Sequence, residues 1–91
     1  MSDVFHLRML TLEKVIYEGN IISLVAPGLD GYFGVLAHHA PLIAALKPGK
    51  LSLKADERSA ERVYAVSGGF VEVSANSAVL LADAIEEIRD I

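Results

Sequence analysis

Gly31-Tyr32-Phe33-Gly34-Val35-Leu36-Ala37-His38-His39-Ala40-Pro41-Leu42-Ile43-Ala44-Ala45-Leu46-Lys47-Pro48-Gly49 decides the architecture, because its second half reads two ways. Ala40 to Leu46 is rich in good helix formers, and Pro41 would suit the first turn of a helix. Read as extended chain, Leu42 to Leu46 instead becomes one more strand after Tyr32 to Leu36, closed by the turn residues Pro48-Gly49. The flanking sequence favours the second reading. On both sides, short runs of Val, Ile, Leu and Tyr alternate with turn signals every few residues, the pattern of a sandwich or barrel.

Toward the amino terminus, Phe5, Leu7 and Met9 alternate with His6 and Arg8, so a half-buried strand is expected there. Glu13-Lys14 interrupts the pattern, Val15-Ile16-Tyr17 resumes it, and Gly19-Asn20 reads as a turn into Ile21 to Val25. Pro27-Gly28 reads as a type II turn and Asp30-Gly31 as a further bend. Toward the carboxy terminus, Leu51 and Leu53 lead to the polar tract Asp56 to Ser59, a solvated hairpin tip. Arg62 to Val66 follows, Gly68-Gly69 permits a bulge or tight bend, and Val71, Val73 and Ala78 to Ala82 close the series. Ile85, Ile88 and Ile91 are spaced for a short helical turn as readily as for a last strand. The expected fold is all-β, a flattened two-sheet sandwich of roughly ten short strands.

With 91 residues the chain forms one domain, and 53% hydrophobic residues exceed what so small an interior needs. Apolar side chains left outside would mark a partner surface if gathered on one face. The longest apolar run, Ala40 to Leu46, is too short to span a bilayer and contains Pro41. There is no signal-like amino terminus and no cysteine, which points to a soluble, non-secreted protein. A net charge of -4 without a basic cluster argues against nucleic acid.

The tests for chemistry fail one after another. His6, His38 and His39 are the only histidines, and adjacent residues on a strand point to opposite faces, so no metal site is expected. Gly49-Lys50 lacks the glycine and hydroxyl of a phosphate loop, and Gly28, Gly31 and Gly34 lack the spacing and helix of a dinucleotide site. Ser67-Gly68-Gly69 is not a nucleophile elbow, and Glu86-Glu87 sits at a polar end where nothing would tune a carboxyl group. Neither catalysis nor a cofactor is expected. A small-ligand-binding sandwich, with Pro27 to Gly34 lining a pocket, is the alternative.

The stretch quoted above, together with Phe5-His6-Leu7, Tyr17-Glu18-Gly19, Ser67 to Val73 and Val79 to Asp83, resembles the β-sandwich domain of the epsilon subunit of F-type ATP synthases. The resemblance runs the length of the chain. It implies a non-catalytic rotor subunit that binds the gamma subunit along one side and the c-ring at its lower end, coupling the two in proton-driven ATP synthesis. It further implies a place on the cytoplasmic side of the bacterial inner membrane. By matched position, Asp30, Gly31 and Tyr32 would meet the c-ring, and Thr11, His39, Leu42 and Ala44 would face gamma. Residues 1–84 would form the epsilon-type domain and 85–91 a short tail where that family's helical hairpin begins, so inhibition through such a hairpin is not expected. Two departures stand out: Ala37-His38 replaces the family's Pro-Gly, predicting a loop of different shape, and Tyr32 stands where a polar or acidic residue is common.

Overall fold

The computed structural model describes residues 3–89, and among these the secondary structure is all strand and turn. Ten strands follow in order: β1 (Phe5–Leu10), β2 (Val15–Ile21), β3 (Ser23–Gly28), β4 (Gly31–Leu36), β5 (Leu42–Leu46), β6 (Gly49–Lys54), β7 (Arg62–Val66), β8 (Gly69–Ser74), β9 (Ser77–Leu81) and β10 (Ile85–Ile88). The ambiguous Leu42–Leu46 is extended: it pairs antiparallel with β8, from Leu42 opposite Val73 to Leu46 opposite Gly69. Intrinsic helix preference loses because every second residue of this segment has a core to meet.

The strands form a continuous ladder, β10-β7-β6-β3-β5-β8-β9-β1-β2, with β4 on β3. It divides where β3 passes from one neighbour to the next. Ser23, Leu24 and Val25 pair with β6, whereas Gly28 pairs with Leu46 of β5. One layer is therefore β10-β7-β6-β3-β4 and the other β5-β8-β9-β1-β2. The second contains one parallel pair, β1 with β9.

Alternation along each strand supplies the core between the layers. Leu24, Val35, Leu51, Leu53 and Tyr64 come from the first layer, and Leu7, Met9, Ile21, Val71 and Leu80 from the second; each is at most 1% exposed. The register of β1 shows why the pattern was readable, since Phe5, Leu7 and Met9 are buried and Arg8 is exposed.

Two expected turns are not turns. Gly19 and Asn20 lie within β2, opposite Leu7 and His6, and the chain bends at Ile22 instead. Gly19 sits beside the Tyr17 side chain, with room for a Cβ at ordinary contact distance, so neither a turn nor a special conformation is required of it. Pro27-Gly28 lies within β3, opposite Tyr32 and Gly31, and the reversal falls at Leu29-Asp30. Pro27 is tolerated because it occupies the gap between the β6 and β5 pairings, where its missing N–H forfeits no ladder bond. Its carbonyl still accepts the Lys47 N–H at 2.9 Å. At the other end, the four residues beyond the expected boundary at 84 belong to the sheet: Ile85–Ile88 pair antiparallel with β7. Asp56 holds the polar tip, accepting the N–H groups of Arg58 and Ser59 at 2.9 and 2.7 Å.

The side of the sandwich where β2 and β7–β10 meet is clasped by Arg62. Its guanidinium lies 5.3 Å from the Tyr17 ring of β2 and 5.7 Å from the Tyr64 ring of its own strand. Nε and Nη2 donate to Glu87 Oε2 and Oε1 at 3.0 and 3.1 Å. This bidentate bond holds the Glu87 carboxyl below its usual range, and burial pushes the Tyr64 hydroxyl up.

Gly69 has φ of +123°, and a Cβ there would collide with the Leu81 carbonyl. Gly69→Ala should lower stability by at least about 2 kcal/mol in urea unfolding, a change within 0.5 kcal/mol contradicting it. A depressed carboxyl adds stability above its unfolded pKa and loses it as pH falls through the folded value. Wild type should thus lose stability relative to Glu87→Gln below about pH 4.5, the ordinary glutamate value, and parallel stability profiles would exclude a stabilising clasp.

Candidate functional site

On the side opposite Arg62, β4 and β5 leave a shallow concavity of about 620 Å³. It is lined by residues 28–34 and by His39 and residues 42–45, so it gathers six of the seven residues implicated by sequence: Asp30, Gly31, Tyr32, His39, Leu42 and Ala44. They are not equivalent. Leu42 and Ala44 alternate inward on β5 and pack half-buried against the core, while Ile43 beside them is 74% exposed. Asp30 and Gly31 lie at the β3–β4 turn and Tyr32 is exposed on β4, its hydroxyl close to Gly49. His39 stands at the far end of the groove, just before β5, with Nδ1 donating to the Ala40 carbonyl oxygen at 2.6 Å.

Thr11 is the exception. It is buried, and its Oγ1 accepts the Glu13 and Lys14 N–H groups at 3.3 Å, closing the β1–β2 turn. Strand direction nevertheless puts it at the Asp30 end of the sandwich, because β1 finishes beside Leu81 and β5 finishes beside Gly69. That end also carries two exposed leucines which the sequence reading passed over, Leu12 at 87% and Leu29 at 63%. Each sits in a turn, where strand periodicity says nothing about direction, so only neighbourhood to Asp30 could have drawn attention to them.

The concavity suits a macromolecule better than a small ligand. Its polar side chains, Asp30, Tyr32 and His39, do not converge, and it is open rather than enclosed. Beyond it, the outer face of the second layer carries a row of apolar residues. Ala45, Phe70, Leu81 and Leu10 are successive cross-strand partners, with Phe70 50% exposed. Among the described residues no group of three or more His, Asp or Glu is arranged to hold a metal ion.

His38 adopts φ of +66°, the left-handed conformation that glycine favours. Its N–H donates to Asn76 Oδ1 at 2.8 Å, its Nε2 lies 3.0 Å from Asp3 Oδ2, and Asn76 Nδ2 donates to the Val4 carbonyl at 2.9 Å. Local partners thus hold a shape for which the residue type is poorly suited.

Residues 4–88 match the family described as ATP synthase, Delta/Epsilon chain, beta-sandwich domain. The ATP synthase epsilon chain of Protochlamydia amoebophila is 44% identical over 88 residues, and that of Chlorobaculum tepidum 48% identical over 84. The alignments take in 97% and 92% of this chain, and 59% and 94% of those proteins. A chain in the Euglena gracilis mitochondrial ATP synthase structure (OSCP/F1/c-ring) shares the fold with a TM-score of 0.88 at 22% identity, over 97% of this chain and 56% of that one. A chain of the Tetrahymena thermophila mitochondrial ATP synthase central stalk and c-ring structure gives 0.75 at 16% identity, over 92% and 66%. No helix among the described residues is long and apolar enough to cross a membrane.

The left-handed His38 yields a test of the loop. Relieving about 1–2 kcal/mol of strain, less the backbone entropy that glycine gives up, His38→Gly should stabilise the domain by about 0.5 kcal/mol. That corresponds to a Tm about 2–4 °C higher; a lower Tm would show that the Asp3 contact outweighs the strain.

Proposed function

The chain belongs to the ATP synthase delta/epsilon β-sandwich family, and from that premise we propose that it is a non-catalytic central-stalk subunit, joining the gamma subunit to the c-ring during proton-driven ATP synthesis. The observation that carries this reading is the open groove between β4 and β5, which ends in the exposed turn Leu29-Asp30. A groove floored by half-buried apolar residues and rimmed by polar ones has the anatomy of a protein interface. Leu42 and Ala44 form its floor, and His39 and Tyr32 stand at its rim.

In this reading gamma covers the groove, and the end of the sandwich bearing Asp30, Gly31 and Tyr32 meets the polar loops of the c-ring. Leu12 and Leu29 add apolar area to that end. Thr11, buried in its turn, supports the end rather than touching gamma. The structure of the domain suits such work. Continuous cross-strand pairing from β10 to β2 makes a stiff body that passes torque without shearing. As part of that complex the chain would sit peripherally on the cytoplasmic side of the bacterial inner membrane, in keeping with the bacterial epsilon chains it resembles.

Purified domain mixed with isolated gamma subunit should elute as one complex in size-exclusion chromatography, and separate elution would overturn the assignment. Tyr32→Ala should leave stability within about 0.5 kcal/mol of wild type, while ATP-driven proton pumping in reconstituted vesicles falls. Unchanged pumping would remove Tyr32 from the c-ring contact.

A further inference from the structure

We propose that Asn76 is a positioning residue for the gamma-facing groove, its side-chain amide holding the turn between β4 and β5 in the shape that sets His39 at the rim. That role presupposes gamma in the groove, as proposed above. The turn runs from Leu36 to His39 and is closed by the His39 N–H, which donates to the Leu36 carbonyl at 3.2 Å. Of its two central residues only His38 has positive φ, at +66°, the pattern of a type II turn whose third position favours glycine. A histidine left to itself prefers negative φ, so this turn needs a hold from outside. Ala37, beside it, packs against the core, so the strain cannot be relieved by the turn lifting away as a whole.

Asn76 supplies the hold. Its Oδ1 accepts the His38 N–H at 2.8 Å and its Nδ2 donates to the Val4 carbonyl at 2.9 Å, so one amide hooks the turn to the chain entering β1. Asn76 is itself fixed. With Ala75 at φ +50° and Asn76 at +58°, between the paired Ser74 and Ser77, it sits in a two-residue hairpin turn for which asparagine is well suited. A rigid hairpin tip thus holds a strained turn, and the strained residue directly precedes His39, which lines the groove ahead of Leu42 and Ala44 on its floor. The other contact of His38 places Nε2 3.0 Å from Asp3 Oδ2, between side chains 67% and 72% exposed, where an ion pair contributes little. A docking loop already held in its bound shape has less to lose on ordering, so the hold is read out as affinity.

Isothermal titration of isolated gamma subunit with the domain tests this. Asn76→Gly keeps the left-handed backbone and removes only the amide, so circular dichroism should be unchanged. Gamma affinity should fall about tenfold, the scale of one strained residue released. In the free variant the His39 amide, bonded to Leu36, should exchange faster by a similar factor. Glycine at position 38 adopts the turn unaided, so His38→Gly added to Asn76→Gly should return affinity and exchange to within about threefold of wild type. Asp3→Ala should leave affinity within about twofold. A wild-type domain that does not bind gamma would overturn the docking reading and this role with it. Wild-type binding matched by Asn76→Gly would overturn the role of Asn76 alone, as would a loss that His38→Gly fails to restore. An equal loss in Asp3→Ala would move the hold to the ion pair and overturn it too.

Discussion

Everything in this domain depends on one short hand-over, the point at which β3 leaves β6 and meets β5 at Gly28 opposite Leu46. It ties two five-stranded layers, each with one apolar face, into a single ladder. With it the two faces close over a common core of Leu, Val, Met and Tyr side chains, whose removal from water is the main stabilising term. Pro27 belongs to that hand-over. It stands where a ladder amide is not required, and its carbonyl still takes the Lys47 N–H.

The same hand-over makes the two sides of the sandwich unequal. On one, Arg62 reaches from β7 to the Tyr17 ring of β2 and is pinned by Glu87, so the layers are held by the chain's own side chains. On the other, β4 and β5 diverge after the hand-over and leave the groove with its half-buried floor. The proposed role makes use of such an asymmetry: one side finished internally, the other open to a docking partner. Apolar area beyond the needs of the core is the compositional trace of this arrangement.

How much of this the sequence disclosed depended on whether periodicity applied. Strands with one wet and one dry face, such as β1 and β8, were legible residue by residue, and ten strands emerged where roughly ten were expected. Gly19-Asn20 and Pro27-Gly28 misled because residues with turn chemistry also serve inside strands, the second pair at a break in pairing, and only tertiary context separates the uses. Ile85–Ile88 was ambiguous for lack of length, and its pairing with β7 decides it. At the candidate site, Asp30 and Tyr32 could be located as exposed turn and strand residues. Inward alternation of Leu42 and Ala44, the role of Thr11 in its turn, and the exposed Leu12 and Leu29 required the fold. His38 shows a further limit, since its left-handed conformation is imposed by Asn76, 38 positions away along the chain.

In the proposed role a partner completes the open side and leaves the clasped side untouched. Amide hydrogen exchange of the dilute domain, alone and bound to the gamma subunit, addresses it directly. Amides of β4 and of residues 39–45 should gain protection on binding while those of β2 and β10 exchange at unchanged rates. Protection gained at β2 and β10, with β4 unaffected, would contradict it.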